Sequence, residues 1–264
     1  MKKYFVIGNP IEHSLSPQLH NYWLKKNNID ATYEKKKLET NEIKNLILDI
    51  KEKKINGINV TVPFKREVVP YLENLSMEAE ATQSVNTILL ENNKIKGYNT
   101  DIDGFELSIK DIKFDVKDKN IFILGAGGVV PSIIFALNKM NVSSISISNR
   151  SKENAENLKN LFKNINIVEW GDIPNFDMII NATSLGLKEE DKINLDFSKI
   201  GTDKFFYDVI YNPKNTNFLK KAKELGNEIE NGKMMFIYQA HQAFAIWHKI
   251  LPEIDIETIK LLDD

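Results

Sequence analysis

The chain of 264 residues contains no cysteine, which excludes disulfides, thiolate metal sites and a thiol nucleophile. A cysteine-free chain fits a reducing compartment, and a cytoplasmic protein is expected. Histidine is scarce, and none of His13, His20, His241 and His248 stands at metal-ligand spacing with carboxylates. His241 and His248, seven residues apart, share a helix face and read as packing or surface groups, so no metal is expected. No apolar run approaches the roughly 18 residues of a membrane helix. The short apolar stretch 4–7 behind the basic start is too brief for the core of a secretion signal. No charge sign dominates: 35 basic against 37 acidic residues leave −2, so no basic field invites nucleic acid. Arginine is nearly missing. Arg66 and Arg150 stand among 35 basic residues, and that scarcity marks each for inspection. What is present, 42% apolar and 27% charged residues, is globular composition sufficient for one large domain or two modest ones.

Apolar segments alternate between short and long. Strands are expected at 3–8, 31–37 and 56–62, with a hairpin at 85–98 around Asn92-Asn93. Between them, Ser16 is expected to cap a helix through about Asn27, with Pro17 in its first turn, and Thr40 a helix to about Lys53; helical patterns follow from about 65 to 83. After a helix at 102–112 and the Lys/Asp-rich link 113–119, a second series follows. It has strands at 120–124, 144–148, 165–168, 177–180, 204–209 and 227–230, and helices from the glycine loop to about 140 and at 151–163, 215–225, 233–249 and 255–262. Such alternation predicts an α/β protein of two units with mainly parallel sheets and helices on both faces. The helices from 233 onward come after the second unit and are free to pack back on the first. The Lys-rich runs 35–37 and 51–54 and the acidic run 189–191 read as solvated faces. Trp23, Trp170 and Trp247 read as core or domain-edge aromatics, and the stretch 234–238 as core.

Strand 120–124 runs into Gly125-Ala126-Gly127-Gly128-Val129-Val130 and then a helix. The first glycine permits a tight turn, the second lets backbone approach a pyrophosphate, and the helix N-terminus presents amides and partial positive charge. Val130 replaces the third glycine of the usual fingerprint, and Pro131 sits where a missing N–H is harmless. The next strand ends at Asn149-Arg150-Ser151, where an NAD site usually places an acid against the ribose. A guanidinium and a hydroxyl there, without a carboxylate, suit a 2′-phosphate and favour NADP. Residues 181–186, Asn-Ala-Thr-Ser-Leu-Gly, follow another strand and either line the nicotinamide side or form an ordinary turn.

Four clusters in the first half carry hydroxyls and carboxamides with one Lys and one Asp: SLSPQLHN (14–21), NVTVPFKR (59–66), VNT (85–87) and YNTD (98–101). They suit a small polyhydroxylated molecule, because carboxamides donate and accept at once. Ser14 and Ser16 precede a helix N-terminus, a suitable place for a carboxylate. Lys65, expected to be shielded by Val62 and Phe64, is a candidate proton donor or acceptor, with Asp101 as its partner.

With GAGG, NRS, NATSLG, YDVIYNP and the late G-x-x-M-x-x-x-Q at 232–239, these clusters make nine motifs in order, and the chain resembles the shikimate dehydrogenase family along nearly its whole length. The resemblance implies an enzyme: an NADP-dependent oxidoreductase that reversibly reduces 3-dehydroshikimate to shikimate in aromatic amino acid (chorismate) biosynthesis. It implies a substrate domain at 1–101 with 238–264, a Rossmann-like NADP domain at 102–237, and an active site in the cleft between them. Ser14 and Ser16 would hold the substrate carboxylate with Tyr211 nearby. Thr61, Asn86, Asp101 and Gln239 would bind ring hydroxyls, and Lys65 would be the catalytic acid/base paired with Asp101. Gly125, Ala126, Gly127, Gly128 and Val129 would hold the pyrophosphate, and Asn149, Arg150 and Ser151 the 2′-phosphate. Val209 and Gly232 would meet the nicotinamide. Gln239 and the substrate come from the resemblance alone.

Three positions depart from the family pattern. Gln83-Ser84 replaces a small Gly-Ala before VNT. Val129-Val130-Pro131-Ser132 replaces smaller residues after the glycine loop. Asn154 stands where a further cation is common, with Lys152 a substitute. In the expected mechanism NADPH delivers hydride to the ring ketone while Lys65 stabilises the oxygen and supplies a proton, with hinges near 101–103 and 232–238. Rival readings are a quinate dehydrogenase, a non-catalytic NADP- or metabolite-sensing module, and another two-domain NADP enzyme such as one acting on folates. Partners beyond the small molecule are not expected: no nucleic acid, no membrane, and a monomer or homodimer.

Overall fold

A computed structural model describes residues 1–263. In chain order the first elements are β1 (Lys2–Gly8), α1 (Ser16–Lys26), β2 (Ala31–Lys37), α2 (Ile43–Lys51), β3 (Gly57–Val60) and β4 (Asn74–Leu75). Then come α3 (Met77–Thr82), β5 (Thr87–Glu91), β6 (Lys94–Tyr98) and α4 (Asp101–Asp111). The series continues with β7 (Asn120–Leu124), α5 (Val130–Lys139), β8 (Ser144–Ser148), α6 (Lys152–Leu161), β9 (Ile165–Val168) and β10 (Met178–Asn181). Last are β11 (Phe205–Asp208), α7 (Asn217–Glu224), β12 (Glu228–Glu230), α8 (Lys233–His248) and α9 (Ile256–Lys260). The chain divides into two compact units, Met1–Gly104 with the segment from Ile237 onward, and Phe105–Phe236.

The first unit holds a six-stranded sheet in the order β2-β1-β3-β5-β6-β4. It is mixed rather than wholly parallel. β1 pairs parallel with β2 and β3, but β5 runs antiparallel to both β3 and β6. The tight connection at Asn92 and Asn93, both left-handed with φ of 50° and 61°, makes β5 and β6 a hairpin. Trp247 of α8 packs over the sheet. Its indole donates to the Ile88 carbonyl at 3.3 Å and occupies the space above Gly57, where a Cβ would come within 2.5 Å of the ring nitrogen.

The second unit is a parallel six-stranded sheet in the order β12-β11-β10-β7-β8-β9. Strand β7 is buried on both faces, as its unbroken apolar sequence requires. The chain leaves β7 for β8 and β9 on one side, then returns to build β10, β11 and β12 on the other. This switch places a crevice at the carboxyl ends of β7 and β10, where such sheets bind ligands.

Several expected boundaries shift for local reasons. The helical patterns of 65–83 become a single 3-10 turn at Val69–Tyr71, where Pro70 removes a donor, and α3, which starts only after Ser76, whose hydroxyl accepts from the Ala79 amide; the short β4 lies between them. Leu15 rather than Ser16 occupies the cap of α1, and Ser16 is its first helical residue. Thr40 opens a 3-10 turn whose reciprocal cap is made by Glu39 and Glu42, and α2 begins at Ile43. Helix α7 is capped by Thr216 and α9 by Asp255.

The departure at Gln83 gains a physical meaning. Gln83 ends α3 in the left-handed region, φ 48°, the conformation in which glycine is least strained. Its exposed carboxamide donates to the Glu80 carbonyl at 2.7 Å, a small recompense. Gln83→Gly is expected to stabilise the fold by about 1 kcal/mol, read as a rise of roughly 2–4 °C in the melting temperature by calorimetry. An unchanged or lower melting temperature would refute the strain.

Candidate functional site

Candidate residues gather in each unit separately. In the first, β3 ends at Val60 and the chain turns: the Thr61 amide donates to the Ile7 carbonyl at 2.9 Å and the Phe64 amide to the Thr61 carbonyl at 2.9 Å. Phe64 is buried and anchors the turn, whereas Val62, expected to shield Lys65, is 59% exposed, because the strand stops before Val62 can face the core. The Lys65 carbonyl accepts from the Val85 amide at 2.9 Å, which fixes Lys65 beside the VNT segment.

The Lys65 ammonium donates to Asp101 Oδ2 at 2.5 Å, and the two side chains are only 11% and 7% exposed. Asp101 stands at the start of α4, its amide donating to Asn99 Oδ1 at 3.2 Å. Its second oxygen accepts from Asn86 Nδ2 at 3.0 Å. The same amide nitrogen faces Thr100 Oγ1 at 2.8 Å and Gln239 Oε1 at 3.4 Å, and Asn86 Oδ1 accepts from the Thr100 amide at 2.8 Å. Lys65, Asp101, Asn86 and Gln239 therefore form one hydrogen-bonded group. With one of its three N–H donors on Asp101, Lys65 retains two for a reacting oxygen. Ser14 and Ser16 meet at the start of α1, where the Ser16 amide donates to Ser14 Oγ at 3.3 Å.

In the second unit the glycine turn lies between two neighbours. The Gly125 amide donates to the Ser148 carbonyl at 2.8 Å, which sets Asn149–Ser151 beside the turn. Gly125 has φ 109°, and a Cβ on it would strike the Ala182 carbonyl at 2.8 Å, so the NATSLG segment closes the other side. Around Gly127 a Cβ would meet nothing nearer than 4.0 Å. That open, exposed backbone at the start of α5, with no acidic residue in the helix's first turn, fits a pyrophosphate. Asn149 Nδ2 donates to the Ser151 carbonyl at 2.8 Å, Arg150 is exposed, and Lys152 pairs with Glu169 at 3.4 Å on the surface. The residues present fit an NADP 2′-phosphate. Val209 and Gly232 touch: a Cβ on Gly232 would lie 2.1 Å from the Val209 carbonyl oxygen. Tyr211 stacks on Phe236 with ring centres 4.3 Å apart.

One residue of the YDVIYNP motif gains a role that its sequence context did not reveal. Asp208, fully buried at the end of β11, accepts from Thr216 Oγ1 at 2.6 Å, Asn181 Nδ2 at 3.1 Å and the Ile210 amide at 3.0 Å. Burial raises its carboxyl to about 6 against those hydrogen bonds. It ties NATSLG to YDVIYNP. Among the described residues no helix is long and apolar enough to cross a membrane.

Residues 6–88 match the family description "Shikimate dehydrogenase substrate binding domain", and residues 107–216 match "Shikimate / quinate 5-dehydrogenase". The chain is 61% identical, over the full length of both, to a protein of Pelagibacter ubique (strain HTCC1062) named shikimate dehydrogenase (NADP(+)). Among solved structures, the shikimate dehydrogenase of Aquifex aeolicus aligns with a TM-score of 0.91 and 37% identity, covering 100% of this chain and 97% of that one. The shikimate 5-dehydrogenase of Thermus thermophilus, in complex with NADP(H) and shikimate, aligns with a TM-score of 0.90 and 27% identity, covering 100% and 99%. Motif order, two α/β units and full-length identity agree, and the chain belongs to the shikimate dehydrogenase family.

Proposed function

We propose that the chain is an NADP-dependent oxidoreductase that reversibly reduces 3-dehydroshikimate to shikimate. The observation that carries this reading is the buried Lys65–Asp101 couple, held by Asn86 and Gln239, in the unit matched to the family's substrate-binding domain. Bound NADPH supplies the hydride. Lys65, oriented by Asp101, donates to the ring carbonyl oxygen as negative charge grows there and delivers its proton; in the reverse direction it receives the proton of the hydroxyl. Asn86, Thr61, Asp101 and Gln239 grip the ring hydroxyls, and Ser14 and Ser16 the carboxylate, with Tyr211 contributing. The backbone of Gly125–Val129 cradles the pyrophosphate. Asn149, Arg150 and Ser151 take the 2′-phosphate, and Val209 and Gly232 meet the nicotinamide. The unit Phe105–Phe236 is thus the NADP domain, and the rest of the chain binds substrate.

The absorbance of the reduced cofactor provides the test. Purified protein should oxidise NADPH with 3-dehydroshikimate much faster than NADH, and reduce NADP with shikimate in preference to quinate. Equal use of NADH would remove the role given to Arg150, and preference for quinate would replace the substrate.

A further inference from the structure

Behind the reacting group lies a buried polar relay that the mechanism does not use. Tyr33 of β2 is buried, its ring stacked on His20 with centres 4.1 Å apart. Its hydroxyl donates to Asn59 Oδ1 at 2.6 Å. Asn59 Nδ2 donates onward to the Asn86 carbonyl at 3.0 Å and to Thr87 Oγ1 at 3.0 Å. Thr87, fully buried, passes its own proton to Asn86 Oδ1 at 3.1 Å and lies 3.4 Å from Thr100 Oγ1. Asn86 then meets Asp101, and Asp101 meets Lys65.

The inventory of donors explains why the order of this chain is fixed. The Asn86 carbonyl can only accept, so it requires the NH2 end of Asn59 beside it, and Asn59 Oδ1 is left to take the Tyr33 phenol proton. With Asn59 set, Thr87 Oγ1 receives a donor, and the nearer acceptor for its own proton is Asn86 Oδ1 at 3.1 Å, with Thr100 Oγ1 at 3.4 Å. The Thr100 amide donates to the same oxygen at 2.8 Å, so Thr87 and Thr100 together leave Asn86 Nδ2 as the end turned to Asp101. Each group in an interior polar network constrains its neighbour, because an unmatched contact there is costly.

We propose that Tyr33, Asn59 and Thr87 are positioning residues that fix the orientation of Asn86 and, through Asp101, the reach of the Lys65 ammonium. The role rests on the reading of Lys65 as the acid/base of a shikimate dehydrogenase. Tyr33 itself acts at a distance: five hydrogen bonds in series lead from its hydroxyl to Lys65.

Tyr33→Phe removes one oxygen and keeps the ring and its stack. The full chain carrying it is expected to turn over shikimate with kcat lowered roughly tenfold, within the loss that a misplacement of about 1 Å brings, while KM for NADP stays within about twofold. The deciding readout is a cycle with Lys65→Ala. Once the ammonium is gone its position no longer matters, so Tyr33→Phe should lower the residual turnover of Lys65→Ala no further. Thr87 gives a second route should Tyr33→Phe fold poorly: Thr87→Val should lose turnover to a similar extent, and Thr87→Ser, which keeps the hydroxyl, should recover it. Unchanged kcat in Tyr33→Phe, an equal fold-loss in the Lys65→Ala background, or equal behaviour of Thr87→Val and Thr87→Ser would each overturn the positioning role, while wild-type turnover of shikimate would leave the assigned reaction standing. A wild-type protein inert toward shikimate would sink the two together.

Discussion

Lys65→Ala should lower kcat by roughly 10²- to 10⁴-fold, the range supplied by a positioned proton donor, with a much smaller change in KM for shikimate. The ammonium contributes mainly as charge develops on oxygen, so its loss falls on the transition state more than on the bound substrate. The substitution has a second effect that must be separated from the first. It leaves Asp101, 7% exposed, with a buried charge answered only by neutral donors such as Asn86. Removing one partner of a buried pair destabilises by about 3–5 kcal/mol. The double variant Lys65→Ala/Asp101→Asn relieves that charge, so its melting temperature should recover toward wild type while turnover remains lost. Stopped or steady-state rates and a thermal melt on the three proteins decide the matter. Turnover of Lys65→Ala within tenfold of wild type would end the assignment.

Acid should unfold the protein through the first unit, and His20 should be the main cause. Its ring is buried against Tyr33, Trp23, Trp247 and Phe244, and its Nε2 has no hydrogen-bond partner. Burial, with a smaller repulsion from His248, pushes its pKa down from the ordinary 6.5 to about 3. The unfolded chain therefore binds a proton that the folded chain refuses. Stability from this group is complete above pH 6.5 and falls by about 1.4 kcal/mol per unit as the pH drops toward 3. The total approaches about 5 kcal/mol, a large part of ordinary domain stability. His248, lowered to about 4 by burial, acts in the same sense. Asp208 acts in the opposite one: its folded pKa is raised to about 6, so its contribution improves as the pH falls through 6 toward the unfolded value near 4. His20→Phe keeps the stack on Tyr33 and removes the titration. Urea unfolding of wild type and His20→Phe from pH 7 to pH 4 should give stabilities that diverge by about 1.4 kcal/mol per unit below pH 6. Parallel curves would show that His20 is protonated without cost.

The glycine turn is legible in the sequence because its signals are local. A doubly buried strand, a glycine with positive φ and a helix start all fall within Asn120–Lys139. Arg150 is legible from its rarity and its place one strand further on. Asp101 is legible as a partner for Lys65 from type alone, and the two meet. Gln239 is not, because its contact with Asn86 spans 153 residues, although a carboxamide midway along the largely apolar α8 is a signal that such a position needs a partner. Asn59 and Thr87 stand in recognisable motifs, but their use depends on a β3–β5 register that no local pattern reveals. Val62 misleads because apolar alternation implies a strand, and the strand ends at Val60. Pro70 is easily passed over inside an otherwise helical pattern.

The seating of Trp247 over Gly57 and Ile88 has a consequence for biogenesis. During translation the segment Phe105–Phe236 is complete before residue 247 leaves the ribosome, while the earlier sheet waits with that apolar face open to water. The nascent amino-terminal portion is accordingly the stretch on which a chaperone would act, and the closing helix the event that releases it.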